Sequence, residues 1–245
     1  MLGMTTTSDP GTKGFKDIAD VLGGGIRENS LVFIEGEART GKSIISQHIA
    51  YGVLHLKESA VAYYSSDYNS EAIVAQMNSM SLEANHDLVT DRLRIYKMGT
   101  TRVYKGAEKS LKIIIRHVLA LPMRFKLIII DSPSPYMLHL SPTGKMDFLE
   151  SCKELCEHYR SIILTLDAHV FENTTQLRAY AMSDYYLRLR SQDMMLEKGQ
   201  VDTRVIKSLE VTKLGSVERI GQELIKYEIK PGIGIQILPF FHVRV

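Results

Sequence analysis

The chain has 245 residues, of which 44% are hydrophobic and 24% are charged, and its formal net charge is +2. These proportions exclude a mainly disordered chain, and the apolar run Leu127-Ile128-Ile129-Ile130 is far too short to cross a bilayer. The small net charge argues against nucleic acid as the main partner. Two cysteines are too few for a disulfide framework, and segment 1–13 lacks the apolar stretch of a signal peptide, so we expect a cytoplasmic protein.

The predicted elements alternate between strand and helix through the first three quarters of the chain. After a loose tail at 1–14 and a short helix at 15–22, the predicted strands cover 31–35, 60–65, 93–98, 126–131 and 161–166. The predicted helices cover 44–57, 69–80, 106–121, 146–159 and 174–182. This alternation is typical of βαβ units on a parallel sheet, so the sequence predicts an α/β fold.

The pattern changes after Ser183 to strand-like segments that are separated by turns. These segments cover 185–190, 204–213, 223–229 and 233–239, with turn signals at 198–199 and 231–232. We interpret this region as an antiparallel extension of the same sheet. Because no repeat or linker divides the chain, we expect 15–245 to form a single domain.

The segment after the first predicted strand has the spacing of a phosphate-binding loop. Gly36, Gly41, Lys42 and Ser43 match the eight-residue Walker A pattern between a strand and a helix. Glycines let the amide groups point at phosphate oxygens, the start of the helix adds its positive dipole end, and the lysine adds a cation. The residues predicted to bind ATP are Gly36, Glu37, Ala38, Arg39, Thr40, Gly41, Lys42, Ser43 and Ile44.

A second motif completes the predicted ATP and Mg²⁺ site. Asp131 ends the hydrophobic strand formed by 127–130, which is a Walker B arrangement. Such an acid lies beside the Mg²⁺ ion that the phosphate-loop hydroxyl binds. Ser43 and Asp131 are therefore the predicted metal ligands.

These motifs and their surroundings resemble the RecA superfamily and, within it, the KaiC-type ATPases. The resemblance extends to 17–26 before the first strand and to 209–213 and 227–235 near the C-terminus. It implies a RecA-like P-loop NTPase fold, with a mostly parallel central sheet flanked by helices. It also implies a polar γ-phosphate sensor at Thr165 and a ring of subunits, such as a hexamer.

Within the KaiC-type proteins, the single domain, the short tail and segment 165–171 are most similar to the FlaH (ArlH) family of the archaellum. That resemblance implies a cytoplasmic, ATP-binding component of the archaeal swimming motor. Such a component would contact the secretion-type motor ATPase beneath the motor's membrane platform. Its nucleotide state would switch its assembly.

Two positions depart from the pattern of the KaiC-type ATPases. Asp67 and Tyr68 stand where that family carries paired glutamates, one of which activates the attacking water. Aspartate is one methylene shorter, and a base must come within about 3 Å of the water. Lys213 keeps the first cation of a Lys-x-Arg pair that reaches the neighbouring subunit's γ-phosphate, but position 215 is Gly. The resemblance implies catalytic roles for Asp67, Thr165 and, in trans, Lys213, with slow hydrolysis or none.

Several other residues have a plain structural interpretation. Cys152 and Cys156 lie four residues apart on a predicted helix near His158, but no second pair of ligands is evident, so packing is favoured over a metal site. His169 is interpreted as a loop residue near the nucleotide, in preference to an acid–base partner of Asp167. The sequence leaves open whether two apolar clusters pack in the core or face a partner: Met194-Met195-Leu196 and Phe240-Phe241.

Two other functions stay open at this point. One is an active KaiC-like ATPase of the circadian, DNA-repair or recombination type, and the other is a signalling protein with autophosphorylation. The small net charge disfavours the DNA role. Turnover measured beside ATP binding would separate these alternatives from a slowly hydrolysing switch.

Overall fold

The computed structural model describes residues 22, 24–56, 59–99, 103–194, 204–215, 217–218 and 224–238. Its strands are β1 (Leu31–Gly36), β2 (Ala60–Ser65), β3 (Leu93–Lys97), β4 (Phe125–Asp131), β5 (Ser161–Asp167), β6 (Tyr185–Met194), β7 (Arg204–Leu214), β8 (Val217–Glu218), β9 (Leu224–Lys230) and β10 (Gly234–Ile237). Its helices are α1 (Lys42–Leu54), α2 (Ser70–Asn78), α3 (Asn85–Val89), α4 (Ala107–Ala120), α5 (Ser134–Met137), α6 (Pro142–Glu157) and α7 (Asn173–Met182), and a 3₁₀ turn covers Val103–Lys105.

The described strands form one sheet in the order β10-β9-β7-β6-β1-β5-β4-β2-β3, and β8 pairs with β7. From β3 to β6 the neighbouring strands run parallel. From β6 to β10 they run antiparallel. The predicted α/β fold with an antiparallel extension is therefore confirmed, with β6 as the strand that belongs to both halves.

Most predicted elements are present, and the differences have local causes. The helix predicted at 146–159 begins at Pro142, because Ser141 caps it by accepting a hydrogen bond from the Gly144 amide at 3.1 Å. The short helices α3 and α5, the 3₁₀ turn and β8 were not predicted, since elements of two to five residues are too short to show a period. The predicted tail at 1–14, the helix at 15–21, the turn at 198–199, residues 195–196 and the pair at 240–241 lie outside the described residues.

Two apolar layers cover the two faces of the sheet. Along β1, Val32 and Ile34 belong to the layer that contains the buried side chains of α1. Leu31 and Phe33 belong to the layer that contains those of α4 and α6, because side chains alternate along a strand. Helix α1 therefore lies on the opposite face from α4 and α6. The carboxyl ends of β1, β4 and β5 meet at one edge of the sheet, between the two layers.

Both cysteines lie in the core, and neither is paired. Cys152 and Cys156 project from α6 and are fully buried in the apolar layer beside it. Burial raises the pKa of both thiols, that of Cys156 to about 12. Their position agrees with the packing interpretation. Within the described part of the chain, no cluster of three or more potential metal ligands occurs and no helix is long and apolar enough to cross a membrane.

Candidate functional site

Residues 36–44, here called the glycine loop, connect the carboxyl end of β1 to the start of α1. Gly41 has a φ of 102°, in the left-handed region, and a Cβ there would come within 2.9 Å of Ile229 Cδ1. A Cβ at Gly36 would approach the Leu189 carbonyl oxygen to 2.8 Å. Both glycines of the motif are therefore required by the backbone path and by the neighbouring strands.

The Lys42 ammonium lies inside the glycine loop and not in solvent. It donates hydrogen bonds to the carbonyl oxygens of Gly36 at 2.7 Å and Glu37 at 3.0 Å. It also forms an ion pair with Asp167 Oδ1 at 2.9 Å. The residue is 9% exposed, so this cation is positioned before any ligand arrives.

The start of α1 is suited to bind an anion. Gly41 provides no side-chain cap, and the first turn of the helix carries no acidic residue. The first amide groups of a helix have no partner within it, and the dipole gives that end a partial positive charge. Together with the Lys42 cation, this helix end fits the phosphates of a nucleotide.

The antiparallel extension fixes the back of the glycine loop. The Tyr227 hydroxyl on β9 donates a 2.7 Å hydrogen bond to the Thr40 carbonyl oxygen. The Lys207 ammonium on β7 donates one at 2.5 Å to the Arg39 carbonyl oxygen. These strands come late in the sequence, so the shape of the loop depends on the whole sheet.

Two of the predicted site residues, Ser43 and Thr165, donate hydrogen bonds to the carboxylate of a third, Asp131. Asp131 Oδ1 accepts hydrogen bonds from Ser43 Oγ at 3.1 Å and from Thr165 Oγ1 at 2.6 Å. Asp131 Oδ2 accepts one from the hydroxyl of Tyr63 at 2.5 Å. Asp131 is only 6% exposed. The register of β4 and β5 places Thr165 beside Asp131, and the start of α1 brings Ser43 to the same carboxylate, so two predicted metal ligands and the predicted γ-phosphate sensor lie together.

The electrostatics of this cluster favour an added cation. Burial raises the pKa of the Asp131 carboxyl, the three hydrogen bonds oppose that rise, and the nearby charge of Asp67 adds to it. Burial also raises the pKa of the Tyr63 hydroxyl well above its ordinary value, so it keeps the proton that it donates. A buried carboxylate without a full positive partner is costly. The oxygen donors of Asp131 and Ser43 are of the type that Mg²⁺ prefers.

Asp67 lies at the mouth of the site, outside the cluster around Asp131. The Ser66 amide donates to the Asp131 carbonyl oxygen at 2.8 Å, which places Asp67 one residue beyond that contact. The Asp67 side chain is exposed and accepts a 3.2 Å hydrogen bond from Ser66 Oγ. The next residue, Tyr68, is 49% exposed. The predicted base is therefore on the correct edge of the sheet, in an open position.

Lys213 is remote from the glycine loop of its own chain. It pairs with Tyr186 across β6 and β7, whereas Leu209 pairs with Leu189, the β6 residue that lies beside Gly36. Lys213 lies four residues beyond Leu209 along β7, which is about 13 Å. Lys213 therefore does not reach the glycine loop of its own chain in the structure, and its role in trans stays a prediction.

Within the chain, Lys213 interacts with the end of α7. Its ammonium donates to the carbonyl oxygens of Tyr180 at 3.0 Å and Ala181 at 2.9 Å, where a cation complements the helix dipole. Nearby Gly215 has a φ of 61°, and a Cβ there would come within 2.9 Å of Arg27 Cζ. The guanidinium of Arg27 therefore occupies the space beside position 215, where the family pattern has an arginine.

His169 and Asp167 do not form an acid–base pair with each other. Asp167 pairs with Lys42, while His169 is exposed in the loop after β5 and lines a hollow together with Gly36 and Glu37. This position agrees with the interpretation of His169 as a loop residue.

Three functional contacts were missed by the sequence reasoning, namely those of Tyr63, Asp167 and Tyr227. A signal existed for two of them. Tyr63 is a polar group within a fully buried strand, and Asp167 ends a parallel strand just as Asp131 does. Carboxyl ends of parallel strands share an edge, so Asp167 could have been placed beside the glycine loop. Tyr227 gave no comparable signal.

Comparisons with known proteins agree with this geometry. A family model described as "ATPase: KaiC" matches residues 9–240. The archaeal flagellar ATP-binding protein FlaH of Sulfolobus acidocaldarius is 23% identical over 220 residues, which are 88% of this chain and 91% of that protein. FlaH of Methanocaldococcus jannaschii is 40% identical over 77 residues, which are 31% of this chain and 33% of that protein.

Two solved structures share the fold over nearly the whole chain. The crystal structure of the flagellar accessory protein FlaH from Methanocaldococcus jannaschii has a TM-score of 0.75 at 23% identity, and covers 91% of this chain and 96% of that one. The structure of a KaiC-like protein from Pyrococcus horikoshii has a TM-score of 0.67 at 19% identity, and covers 90% and 94%.

Proposed function

The chain belongs to the KaiC family of ATPases, and from this premise we propose that it is an ATP-binding protein whose nucleotide state switches its assembly in the archaeal motility motor. The observation that carries the proposal is the site at the carboxyl edge of the sheet. There the Lys42 cation and the carboxylate cluster of Asp131 are positioned to bind a nucleotide. Lys213 lies at the end of β7 that is away from the glycine loop.

The glycine loop, including Glu37, Ala38 and Ile44, holds the phosphates through its amide groups, and Lys42 exchanges its carbonyl partners for phosphate oxygens. Ser43 and Asp131 hold Mg²⁺. At this position Mg²⁺ would supply positive charge that offsets the negative charge of the phosphates. Thr165 fixes one oxygen of the Asp131 carboxylate and senses the γ-phosphate. The fit rests on the buried cation, the uncapped helix start and the oxygen donors around Asp131.

Hydrolysis is slow because the base is short and poorly held. Asp67 is the candidate base, and its exposed carboxylate has a single described hydrogen-bond partner in the side chain of Ser66. A base that is not fixed spends little time within about 3 Å of the attacking water. The protein therefore keeps ATP bound for long periods, which suits a switch better than a motor.

Assembly is controlled by a contact between subunits. In a ring, such as a hexamer, Lys213 of one chain leaves the end of α7 and reaches the γ-phosphate of the neighbour. ATP then gains a contact that ADP lacks, and this difference shifts the assembly equilibrium. Coupling of this kind typically amounts to about 1–3 kcal/mol.

The proposed partners rest on the resemblance to FlaH, and the names of the relatives support only the link to the archaellum. The curated relatives are archaeal flagellar ATP-binding proteins, which supports a place in the archaellum for this chain. We place it in the cytoplasm, against the secretion-type motor ATPase and beneath the membrane platform.

One experiment tests binding and turnover on the same sample. Calorimetry of Mg-ATP binding is combined with phosphate release from that sample, with Lys42→Ala as the control. We expect tight binding with turnover below about 0.1 s⁻¹, under the usual enzyme range of about 1–10³ s⁻¹. Absence of binding would contradict the proposal. Turnover within the usual range would favour an active ATPase of the DNA-repair or signalling type.

A further inference from the structure

Helices α4 and α6 border a groove on the sheet face opposite α1. One wall consists of 108–116 on α4, and the other of 140–151, which includes the first half of α6. The buried side chains of Leu111 and Phe148 and the partly buried Ile115 and Leu140 form an apolar floor. At 1.5 Å per residue, the α4 wall is about 12 Å long, or a little over two helical turns.

The wide end of the groove is strongly cationic. It is a hollow of about 720 Å³, and the described residues that line it include Lys105, Lys109, Lys112 and Arg116, against the carboxylate of Glu108. The narrow part, which holds most of the apolar floor, is lined by Lys112 and Arg116 and by the carboxylates of Glu108 and Asp147, so the excess positive charge lies at the wide end. Glu108 pairs with Lys112 at 2.6 Å, but both side chains are about two-thirds exposed, so the pair contributes little. The amino ends of α4 and α6 also border this hollow and add partial positive charge.

A glycine keeps the groove open at its centre. Gly144 lines both the narrow and the wide part, and it lies in the first turn of α6. A Cβ there would meet its nearest neighbours, Leu140 Cβ and Ser141 Oγ, at 3.5 Å, which is ordinary contact. The space around Gly144 therefore does not require glycine, although glycine destabilises a helix relative to alanine. Glycine leaves this part of the groove without a side chain.

We propose that this groove docks an acidic amphipathic helix of a partner protein. An apolar floor between two helices fits the apolar face of a third helix. That third helix would insert apolar side chains spaced one and two helical turns apart. The lysines and the arginine at the wide end of the groove favour carboxylates on the flanks of that helix. They also raise the rate at which the helix associates with the groove. Because the groove lies on the opposite face from α1, docking leaves the glycine loop untouched.

Other occupants fit the groove less well. The chain's own C-terminal segment 239–245 carries Arg244, which the lysines would repel, and no Asp or Glu, and 1–21 carries three aspartates and two lysines and is nearly neutral. An anionic membrane is flat, whereas the apolar floor is recessed between two helices. A protein helix of acidic character matches both the shape and the charge.

The test uses helical peptides against the full chain. A displayed library of about 14-residue helices keeps leucine at positions one turn apart and varies the flanking positions among Glu, Gln and Lys. The best peptide is then synthesised, and its affinity is measured by fluorescence anisotropy for the native chain and for Arg116→Glu and Gly144→Leu. Arg178→Glu is the matched control, because Arg178 is an exposed helical arginine on α7, outside the groove.

We expect selection of glutamate-rich peptides and roughly tenfold weaker binding to Arg116→Glu, since reversing a rim charge replaces attraction by repulsion. Gly144→Leu should abolish peptide binding while its ATP binding stays at the native level and its thermal stability is no lower than that of the native chain. Arg178→Glu should bind like the native chain.

Three outcomes would overturn the proposal. One is that no peptide is enriched, or that lysine-rich peptides are. Another is equal affinity for the native chain, Arg116→Glu and Gly144→Leu. The third concerns the membrane: if Arg116→Glu loses sedimentation with vesicles of phosphatidylserine and phosphatidylcholine but keeps peptide binding, the groove serves a lipid surface instead.

Discussion

Removing the Asp167 carboxylate should tighten ATP binding, although Asp167 lies at the edge of the nucleotide site. In the structure its Oδ1 atom holds the Lys42 ammonium at 2.9 Å, and the side chain is 49% exposed. When a nucleotide binds, the Lys42 ammonium must leave Asp167 to contact the phosphates. The Lys42–Asp167 ion pair therefore competes with nucleotide binding. Asp167→Asn keeps the shape of the side chain and removes the competing charge.

The magnitude follows from the exposure of the pair. A half-exposed ion pair is worth about 0.5–1 kcal/mol. Repulsion between the carboxylate and a nearby phosphate adds about 1 kcal/mol in water-like surroundings. The sum of about 1.5–2 kcal/mol corresponds to roughly tenfold to thirtyfold tighter binding.

Calorimetric titration with Mg-ATP measures this change. Asp91→Asn is the control, because Asp91 is 45% exposed and paired with Arg94, and it precedes β3 at the opposite edge of the sheet. That variant should bind ATP like the native chain. If Asp167→Asn binds ATP no more tightly than the native chain, Asp167 contacts the bound nucleotide or its metal, and the competition argument is wrong.

Three further predictions concern the site and the core. Lys42→Ala should weaken Mg-ATP binding by about 2–4 kcal/mol, roughly thirtyfold to a thousandfold, since a charge-assisted contact to each of two phosphates is lost; calorimetry with unchanged affinity would contradict this. Asp67→Glu should raise the rate of phosphate release and Asp67→Ala should abolish it; if Asp67→Ala keeps native turnover, the base lies elsewhere. His48 is fully buried and accepts a hydrogen bond from the Ile235 amide at 3.3 Å, and burial lowers its pKa to about 4. The unfolded chain, with a pKa of about 6.5, therefore binds more protons below that pH, and urea unfolding should show about 2 kcal/mol lost between pH 7 and pH 5. His48→Gln should flatten that loss, and an equally steep loss in the variant would assign it to other groups.

The sequence predicted the parts of the site that depend on local spacing. The strand, glycine loop and helix around Lys42 follow from the Walker A spacing, and the position of Asp131 follows from the apolar run before it. The resemblance to KaiC-type ATPases, and most of all to FlaH, is confirmed by the family match and by the curated relatives. The antiparallel extension was predicted from the change in pattern after Ser183.

Contacts that depend on register between distant strands could not be predicted in this way. Tyr63 and Thr165 reach Asp131 only because β2 and β5 flank β4 in one register. Tyr227 reaches the glycine loop across the late β9 strand, a separation of 187 residues. The contact of Lys213 with the end of α7 also needs the folded sheet, since neither segment carries a local signal for the other.

The most direct test of the switch is light scattering of the native chain and of Lys213→Ala, each with ATP, with ADP and without nucleotide. Because Lys213 also caps α7, thermal melting and ATP affinity of the Lys213→Ala monomer are recorded first, and Lys213→Arg serves as the conservative variant. We expect a larger mass for the native chain with ATP than in its other two states, a similar response for Lys213→Arg, and a small, constant mass for Lys213→Ala. A mass distribution that is the same for all three proteins in all three nucleotide states would contradict the switch and leave a simple nucleotide-binding protein.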